Sequence, residues 1–166
     1  MHTRFWFWSL AAVVLLVVSI VWWREHALTL PTPYTFDLVS GDTVSSWSFQ
    51  GAYTGHAELV QKAETEITRL SNLIGTTDSD YEIYVSIANQ YDLLGDGENE
   101  LRYLKYALAI DAETTGLAWY NLGVLFDRLH AYHTARTAYQ NAAKAQAIAQ
   151  YLNAYQEYAR AHPAPR

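Results

Sequence analysis

The chain has 166 residues, no cysteine and a formal net charge of −6 at pH 7. Beyond Glu25 it carries nine basic and sixteen acidic residues, a balance that argues against nucleic acid or anionic lipid as its partner. The absence of cysteine excludes a thiol nucleophile and a lipid-modified cysteine, but it does not distinguish between cellular compartments.

An uncharged apolar segment, residues 5–23, lies near the start of the chain. As a helix it would cover roughly 28 Å, close to the ~30 Å of a bilayer's hydrocarbon core. The segment carries two tryptophans at each end, where interfacial aromatic belts occur. We therefore predict that residues 1–25 form a transmembrane signal-anchor helix, in contact with the lipid bilayer through residues 5–23.

Two alternatives for this segment stay open. A cleavable secretory signal requires small residues directly after the apolar run, whereas bulky and charged residues follow here, as Trp22-Trp23-Arg24-Glu25. The segment would also be apolar if it were buried in a partner protein. We take the uncleaved anchor as the leading interpretation because no good cleavage site is present.

The orientation of the anchor depends on a small difference in basic residues. Arg4 and the terminal amine precede the segment, whereas Arg24 follows it and is partly offset by Glu25. The next basic residue, Lys62, lies too far along the chain to count. We predict a single-pass protein with a cytoplasmic N-terminus and an extracytoplasmic C-terminal domain.

Residues 26–55 differ in composition from the segments on either side. Pro31 and Pro33 indicate a short extended spacer, and the residues after them are rich in Ser, Thr, Gly and aromatic side chains. We predict an irregular arm or linker that packs against the first helices through Trp47, Phe49 and Tyr53. A short β-hairpin is the alternative, although a two-stranded sheet is only marginally stable alone.

Residues 56–80 are predicted to contain an N-terminal capping helix. Apolar residues recur three and four apart over His56–Ile74, and Gly75 follows as a helix stop. Ser79 and Glu82 then have the spacing of a capping box, which predicts the start of the next helix.

Residues 116–147 carry the most informative pattern in the chain. The first half presents an apolar helical stripe with one small residue: Trp119, Leu122, Gly123 and Phe126. The second half presents two small residues around a large one: Ala135, Tyr139 and Ala142. Small residues allow two helices to approach closely, and Tyr139 fills the space between them. The combination resembles the tetratricopeptide repeat, a pair of antiparallel helices.

Residues 81–115 resemble the same repeat. The matching residues are Tyr84, Ile87, Ala88, Tyr91, Leu104, Ala107 and Leu108. Glu100, however, stands where the other unit has Ala135, and this charge predicts looser packing or a helix end open to water. The proline that the family carries after its second helix is replaced by Ala112 and Ala147.

Residues 148–166 are predicted to form a C-terminal solvating helix and tail. From Thr134 to Ala161 the sequence is alanine-rich and lacks glycine and proline, so it predicts one long helix or two helices with a kink near residues 146–149. The resemblance implies a short right-handed superhelix of helix pairs, which with its capping helices forms a stack of about six helices. Together with the predicted transmembrane helix before it, this gives an all-α fold.

The resemblance also implies a binding groove, because the first helix of each repeat lines the concave face in this family. The residues at such positions are Glu82, Val85, Asn89, Asp92, Leu117, Tyr120, Asn121, Val124, Asp127 and Arg128. Some family members hold an acidic peptide C-terminus with Lys and Arg at these positions, but Arg128 is the only basic residue of this set. A mixed apolar and acidic groove suits an apolar or basic peptide, or a neighbouring helix. Structural roles remain the alternative: Asn121 could tie backbone together, and Tyr120 could pack on the next helix.

No pattern in the sequence predicts catalysis, a cofactor or a metal site. The chain has no Gly-rich phosphate loop and no Gly-x-Ser-x-Gly elbow. His130 and His133 could share a metal ion, but no third ligand is near them in sequence. The stretch after Asp92 superficially matches a calcium loop, but Leu94 and Tyr103 stand where oxygen ligands are needed.

Two functions follow as expectations, and neither is enzymatic. The leading one is a membrane-anchored adaptor or scaffold, which binds a protein or peptide partner in the repeat groove on the extracytoplasmic side. The alternative is a structural membrane protein that assembles into a homo-oligomer through its terminal helix, with Tyr151, Tyr155 and Tyr158.

Overall fold

The computed structural model describes residues 30–76 and 78–163 of the chain. These residues form an extended arm followed by six helices, and the only β-type pairing among them is an isolated bridge between Ser48 and Asp96. The helices are α1 (Ala57–Ser71), α2 (Tyr81–Leu94), α3 (Gly97–Ile110), α4 (Leu117–Arg128), α5 (Tyr132–Ala145) and α6 (Ala149–Ala161). The all-α prediction is confirmed for this part of the chain.

Within the described ranges, no helix combines the length and apolar character that crossing a bilayer requires. The apolar segment at residues 5–23 lies outside those ranges. The transmembrane anchor, its orientation and its possible cleavage therefore stay predictions.

Two helical hairpins form the centre of the fold. In the first, α2 packs against α3, and Gly95 reverses the chain between them with a φ of 78°. Any other residue at this position would be strained, and its Cβ would lie 2.1 Å from the carbonyl oxygen of Phe49. In the second hairpin α4 packs against α5, and His130 makes the turn with a φ of 60°.

The hairpins and their flanking helices stack in chain order. Helix α1 packs on α2, α3 packs on α4, and α5 packs on α6. The largest fully buried side chains come from both hairpins: Tyr84, Val85, Ile87, Leu104, Leu108, Leu122, Leu125, Phe126 and Thr134. One core therefore runs through the stack and continues from each hairpin to the next.

The small residues of the repeat pattern lie where helices meet. Ala135 and Ala142 are fully buried, as are Ala88 and Ala107 in the first hairpin. A Cβ added to Gly123 would lie 2.6 Å from the ring of Tyr139, so only glycine fits at this crossing. This contact is the one that the sequence pattern predicts.

The arm is held to the helices by hydrogen bonds along its length. The backbone N–H of Tyr34 donates to the carbonyl of Lys105 at 3.0 Å, and that of Tyr53 donates to Leu93 at 2.9 Å. Between these points, the N–H of Val39 donates to Oγ1 of Thr134 at 3.0 Å. The hairpin alternative is wrong, because the arm's backbone groups bond to the helices and form no strand pair with one another.

Aromatic side chains of the arm pack on α4 between α3 and α5. The ring of Phe36 lies 5.2 Å from that of Trp119 and 5.9 Å from that of Phe126. Tyr34 also meets Trp119 edge-on at 5.5 Å, and Trp47 meets Phe126 at 6.4 Å. The arm is therefore part of the core's wall, and it contacts the second hairpin as well as the first helices.

Two predictions about helix ends need correction or completion. The capping-box prediction places the cap one residue too early, because Asp80 directly precedes α2, whereas Oγ of Ser79 accepts a hydrogen bond from the N–H of Tyr81 at 3.4 Å. The run from Thr134 to Ala161 forms two helices, since the backbone is extended at Gln146 and again at Ile148.

Candidate partner-binding face

The predicted groove residues all lie on α2 and α4, the first helices of the two hairpins. Two polar contacts connect these helices across the face. Nδ2 of Asn121 donates to Oδ1 of Asn89 at 2.9 Å, and Arg128 forms an ion pair with Asp92. We refer to the ten predicted residues as the α2–α4 face. Its side chains hold the two helices in register and also present polar groups to the outside.

Arg128 is committed to contacts within the protein. Its guanidinium pairs with Asp92 and lies over the ring of Phe49, 5.3 Å from the ring centre. Burial raises the pKa of Asp92, and the positive charge of Arg128 acts in the opposite direction. The only basic residue of the face is therefore already neutralised, and it is poorly placed to bind a partner's carboxylate.

Helix α6 covers one edge of the α2–α4 face. Tyr120 packs between the rings of Tyr139 and Tyr151, at centroid distances of 5.6 and 5.5 Å. The hydroxyl of Tyr158 donates to Oδ1 of Asp127 at 2.8 Å. Tyr120 thus packs on neighbouring helices, which is the structural alternative that the sequence left open for it. Asp127 also has a structural role, because it bonds to α6.

Solvent exposure separates the ten residues further. Val85 is 2% exposed and packs in the core, so it is not available to a partner. Glu82, Asn89 and Arg128 are exposed, whereas the other six are partly buried: Asp92, Leu117, Tyr120, Asn121, Val124 and Asp127. The accessible part of the face is therefore a polar centre around Asn89 with an acidic side chain, Glu82, towards one end.

Glu100 is the residue whose environment the sequence reasoning missed. It is 3% exposed, and its Oε2 has no hydrogen-bond partner among the described residues. Burial, reinforced by the negative charge of Asp92, raises the pKa of Glu100 to about 9. Its side chain is therefore protonated at neutral pH.

The arm explains why the start of α3 is not open to water. The N–H of Gly97 donates to the carbonyl of Trp47 at 2.8 Å, so the arm crosses directly over the first turn of the helix. A Cβ at Gly97 would lie 3.3 Å from the ring of Phe49 and 3.1 Å from Leu125. The prediction of loose packing at Glu100 is wrong. Glu100 is equivalent in the repeat pattern to Ala135, and a position that holds a small residue in one repeat could have indicated that Glu100 is buried as well.

The described residues also bear on metal and small-molecule sites. No group of three or more His, Asp and Glu side chains lies close enough there to hold a metal ion. A cavity of about 620 Å³ lies beside α1, lined by Tyr53, Glu58, Gln61, Lys62, Thr65, Glu66 and Gln90. Its lining mixes charges of both signs.

Comparisons with protein-family models, curated proteins and solved structures find no match to this chain. The case for a function therefore depends on the chain's own residues and their geometry. The most informative geometric feature is a difference between two surfaces of the stack. The arm covers the surface between α3 and α5, whereas the α2–α4 face is accessible.

Proposed function

We propose that the chain is a membrane-anchored adaptor of the tetratricopeptide type, which holds a segment of a partner protein on the α2–α4 face. The observation that carries the proposal is that the arm covers the surface between α3 and α5, whereas the α2–α4 face is accessible to solvent. The arm occupies the space between α3 and α5, with Phe36 and Trp47 on the aromatic residues of α4. The polar bridge from Asn89 to Asn121 lies on the α2–α4 face and is exposed.

The packing of the two hairpins supports the repeat assignment. A glycine against a tyrosine, at Gly123 and Tyr139, is a size-specific contact at the spacing that the repeat uses. Fully buried alanines occupy the other close approaches in both hairpins. Successive hairpins that stack on their neighbours are the general plan of repeat proteins, which present extended surfaces to partners.

The chemistry of the α2–α4 face favours an apolar or basic partner segment. Arg128 is neutralised by Asp92, and no other basic side chain belongs to the face. Glu82 is exposed, and Asp127 receives one hydrogen bond from Tyr158 on one of its two oxygens. A partner with Lys or Arg near an apolar side chain would complement these acids and the half-buried Leu117 and Val124.

The membrane segment gives the adaptor its location. An anchor at residues 5–23, followed by a short spacer, would hold the helical stack on the extracytoplasmic side of the bilayer. Tethering confines the stack to a thin layer next to the membrane and so raises the effective concentration of any partner that is also membrane-bound.

Self-assembly through the terminal helix is the second candidate. Ile148 and Leu152 are 40% and 37% exposed, which leaves an apolar strip at this end of the stack. Two of the three tyrosines proposed for assembly are used internally, however. Tyr151 is 5% exposed, and Tyr158 bonds to Asp127. The geometry therefore favours the adaptor.

The test is a crosslinking pull-down with the full chain in neutral detergent. Asn89→Ala/Asn121→Ala removes both partners of the exposed bridge and leaves no buried polar group unsatisfied. Gln61→Ala/Asn72→Ala is the matched control, since it removes the same number of amide side chains from exposed positions, one in α1 and one directly after it. We expect a partner that wild type and control capture and that the α2–α4 variant loses.

Light scattering of the same samples distinguishes the two candidates. A monomer with a variant-sensitive partner supports the adaptor. A stable homo-oligomer, together with capture that is indifferent to the Asn89/Asn121 change, contradicts the adaptor and supports assembly through the end of the stack near Ile148 and Leu152. Equal circular dichroism spectra for all variants verify that folding is unchanged.

A further inference from the structure

Helix α5 differs in charge from the rest of the chain. It contains two basic residues and no acidic residue, in a protein with a net charge of −6. Its polar residues recur three and four apart and form one stripe along the helix: His133, Arg136, Thr137, Gln140, Asn141 and Lys144. One face of α5 therefore offers positive charge and hydrogen-bonding groups, and the helix contains no acidic residue of its own.

Arg136 in this stripe is half-buried and unpaired. It forms no hydrogen bond or ion pair with any residue in the described ranges. Three other arginines there pair with carboxylates: Arg69 with Glu66, Arg102 with Glu98, and Arg128 with Asp92. A guanidinium that has lost part of its hydration gains most from an anion that forms two parallel hydrogen bonds with it.

Two cavities lie along the same stripe. One, of about 280 Å³, is lined by Arg136 and Gln140 of α5, by Val39 and Ser40 of the arm, and by Tyr155 of α6, among others. The other, of about 310 Å³, is lined by Asn141 and Lys144, by Tyr34 of the arm and by Trp119, among others. Only one carboxylate, that of Glu113, is among the lining residues of the two cavities.

The wall formed by the arm is firmly held. Oδ2 of Asp42 accepts hydrogen bonds from the N–H and the hydroxyl of Thr134, at 2.6 and 2.7 Å. The N–H of Val39 donates to the same hydroxyl oxygen at 3.0 Å. The cavity beside Arg136 is thus bounded by a fixed segment, which is the property expected of a preformed site.

We propose that this stripe of α5 is a second docking surface, which takes an extended acidic segment of a partner protein. One carboxylate of the segment sits on Arg136 in the cavity against the arm, and another sits on Lys144. These residues are eight positions apart on the helix, or about 12 Å along its axis. An extended chain advances about 3.3 Å per residue, so the two carboxylates belong to residues three or four positions apart.

This surface is independent of the α2–α4 face and has the opposite charge. The α2–α4 face carries Glu82 and Asp127, with its single basic residue neutralised, whereas the α5 stripe carries Arg136 and Lys144. Like charges brought together at an interface are unfavourable, so each surface rejects the partner of the other. A stack with both surfaces can hold two different proteins at once.

The test is fluorescence anisotropy with a rhodamine-labelled hexaglutamate peptide and the full chain in neutral detergent. A hexaglutamine peptide with the same label is the control for charge. Arg136→Gln/Lys144→Gln removes both cations, and Lys62→Gln/Arg160→Gln removes the same charge from α1 and α6. We expect hexaglutamate to bind with a dissociation constant that rises about tenfold in the α5 variant and is unchanged in the control variant.

Three results would overturn the proposal. Hexaglutamate could fail to bind wild type, or it could bind the α5 variant and wild type equally, which would leave general charge attraction as the explanation. Finally, light scattering could detect self-association that the α5 variant abolishes while the peptide has no effect, and the occupant would then be a second copy of this chain. Increasing salt must weaken the peptide complex if the contacts are ionic.

Discussion

The second helices of the two hairpins begin in different ways. Helix α3 is capped by the residue before it, since Oδ1 of Asp96 accepts a hydrogen bond from the N–H of Asn99 at 3.1 Å. Helix α5 begins after Ala131, which has no side chain that can cap. Its cap comes from Asp42 in the arm, which lies 92 residues before Thr134 in sequence. The first hairpin closes its own helix end, whereas the second needs the arm.

At a second pair of equivalent positions, Ala135 and Glu100, it is the first hairpin that the arm affects. Ala135 is fully buried in the second hairpin, and its packing requires no polar partner. Glu100 occupies the equivalent place in the first hairpin, where the arm residue Trp47 crosses the same helix turn and the carboxyl is shut off from water. The arm thus stabilises the second hairpin by capping α5, and it destabilises the first hairpin by burying the carboxyl group of Glu100.

The largest expected effect follows from Glu100 and depends on pH. Its pKa in the folded protein, about 9, lies above the ordinary value of 4.5. The folded state therefore binds one more proton than the unfolded state between these pH values. The group's contribution to stability is complete below about pH 4.5 and is lost as the pH rises towards 9, by at most about 1.4 kcal/mol per pH unit.

Urea unfolding from pH 5 to pH 9 measures this effect. Glu100→Gln keeps the shape of the side chain but cannot ionise, so its free energy of unfolding should fall much less over the range than that of wild type. Glu98→Gln, an exposed carboxylate two residues earlier, is the control and should retain the wild-type slope. Parallel slopes for wild type and Glu100→Gln would contradict the buried, protonated state.

The next effect concerns the close helix approach in the second hairpin. Gly123→Ala places a Cβ about 2.6 Å from the ring of Tyr139, which cannot move without disturbing Tyr120 and Tyr158. We expect a loss of roughly 1–3 kcal/mol in the free energy of unfolding, the range of overpacking changes. Chemical denaturation monitored by circular dichroism measures it.

The matched change in the first hairpin separates overpacking from helix propensity. Ala88→Gly makes the first hairpin resemble the second at this position and should cost about 1–2 kcal/mol, from backbone entropy and from the loss of a fully buried methyl group. A Gly123→Ala variant that is more stable than wild type would mean that the two helices can separate freely, and it would refute the size-specific contact.

A smaller effect is expected from the cap that the arm supplies. Asp42→Ala removes the acceptor for the N–H of Thr134 and should cost about 1 kcal/mol, the usual value of a helix cap. Amide hydrogen exchange should also become faster in the arm around Val39, because the N–H of Val39 bonds to the hydroxyl of Thr134, which Asp42 holds in place. Asp96→Ala should destabilise to a similar degree while leaving exchange near Val39 unchanged.

Asp37→Ala serves as the control for charge in the arm, since Asp37 is exposed and its side chain has no hydrogen-bond partner within the described ranges. Equal exchange rates in Asp42→Ala and Asp37→Ala would show that the arm stays docked without the cap. The asymmetry between the two hairpins would then be only local.

The smallest effect concerns the edge of the second hairpin that α6 covers. Tyr158→Phe removes the hydrogen bond to Asp127 and should lower the free energy of unfolding by about 0.5–1 kcal/mol. Tyr155→Phe on the same helix removes a hydroxyl without a hydrogen-bond partner among the described residues and should be neutral. Denaturation curves that do not separate the two variants would remove the Asp127 contact as a reason for the position of α6.

Sequence alone was sufficient for the features that depend on local spacing. The approach of Gly123 to Tyr139 could be predicted, because both residues follow from the helical period and from side-chain size. The all-helical architecture followed from the same periodicity. The ends of helices were less certain: Asp80 rather than Ser79 precedes α2, since several polar residues in a row can each take that role.

Tertiary structure alone decided the contacts between residues far apart in the chain. The cap of α5 by Asp42, the burial of Glu100 and the bridge from Asn121 to Asn89 all join segments that have no fixed spacing in sequence. The path of the arm determines the first two, and the stacking of one hairpin on the next determines the third. Helical periodicity specifies which face of a helix is apolar, but only the folded chain determines which polar groups meet across it.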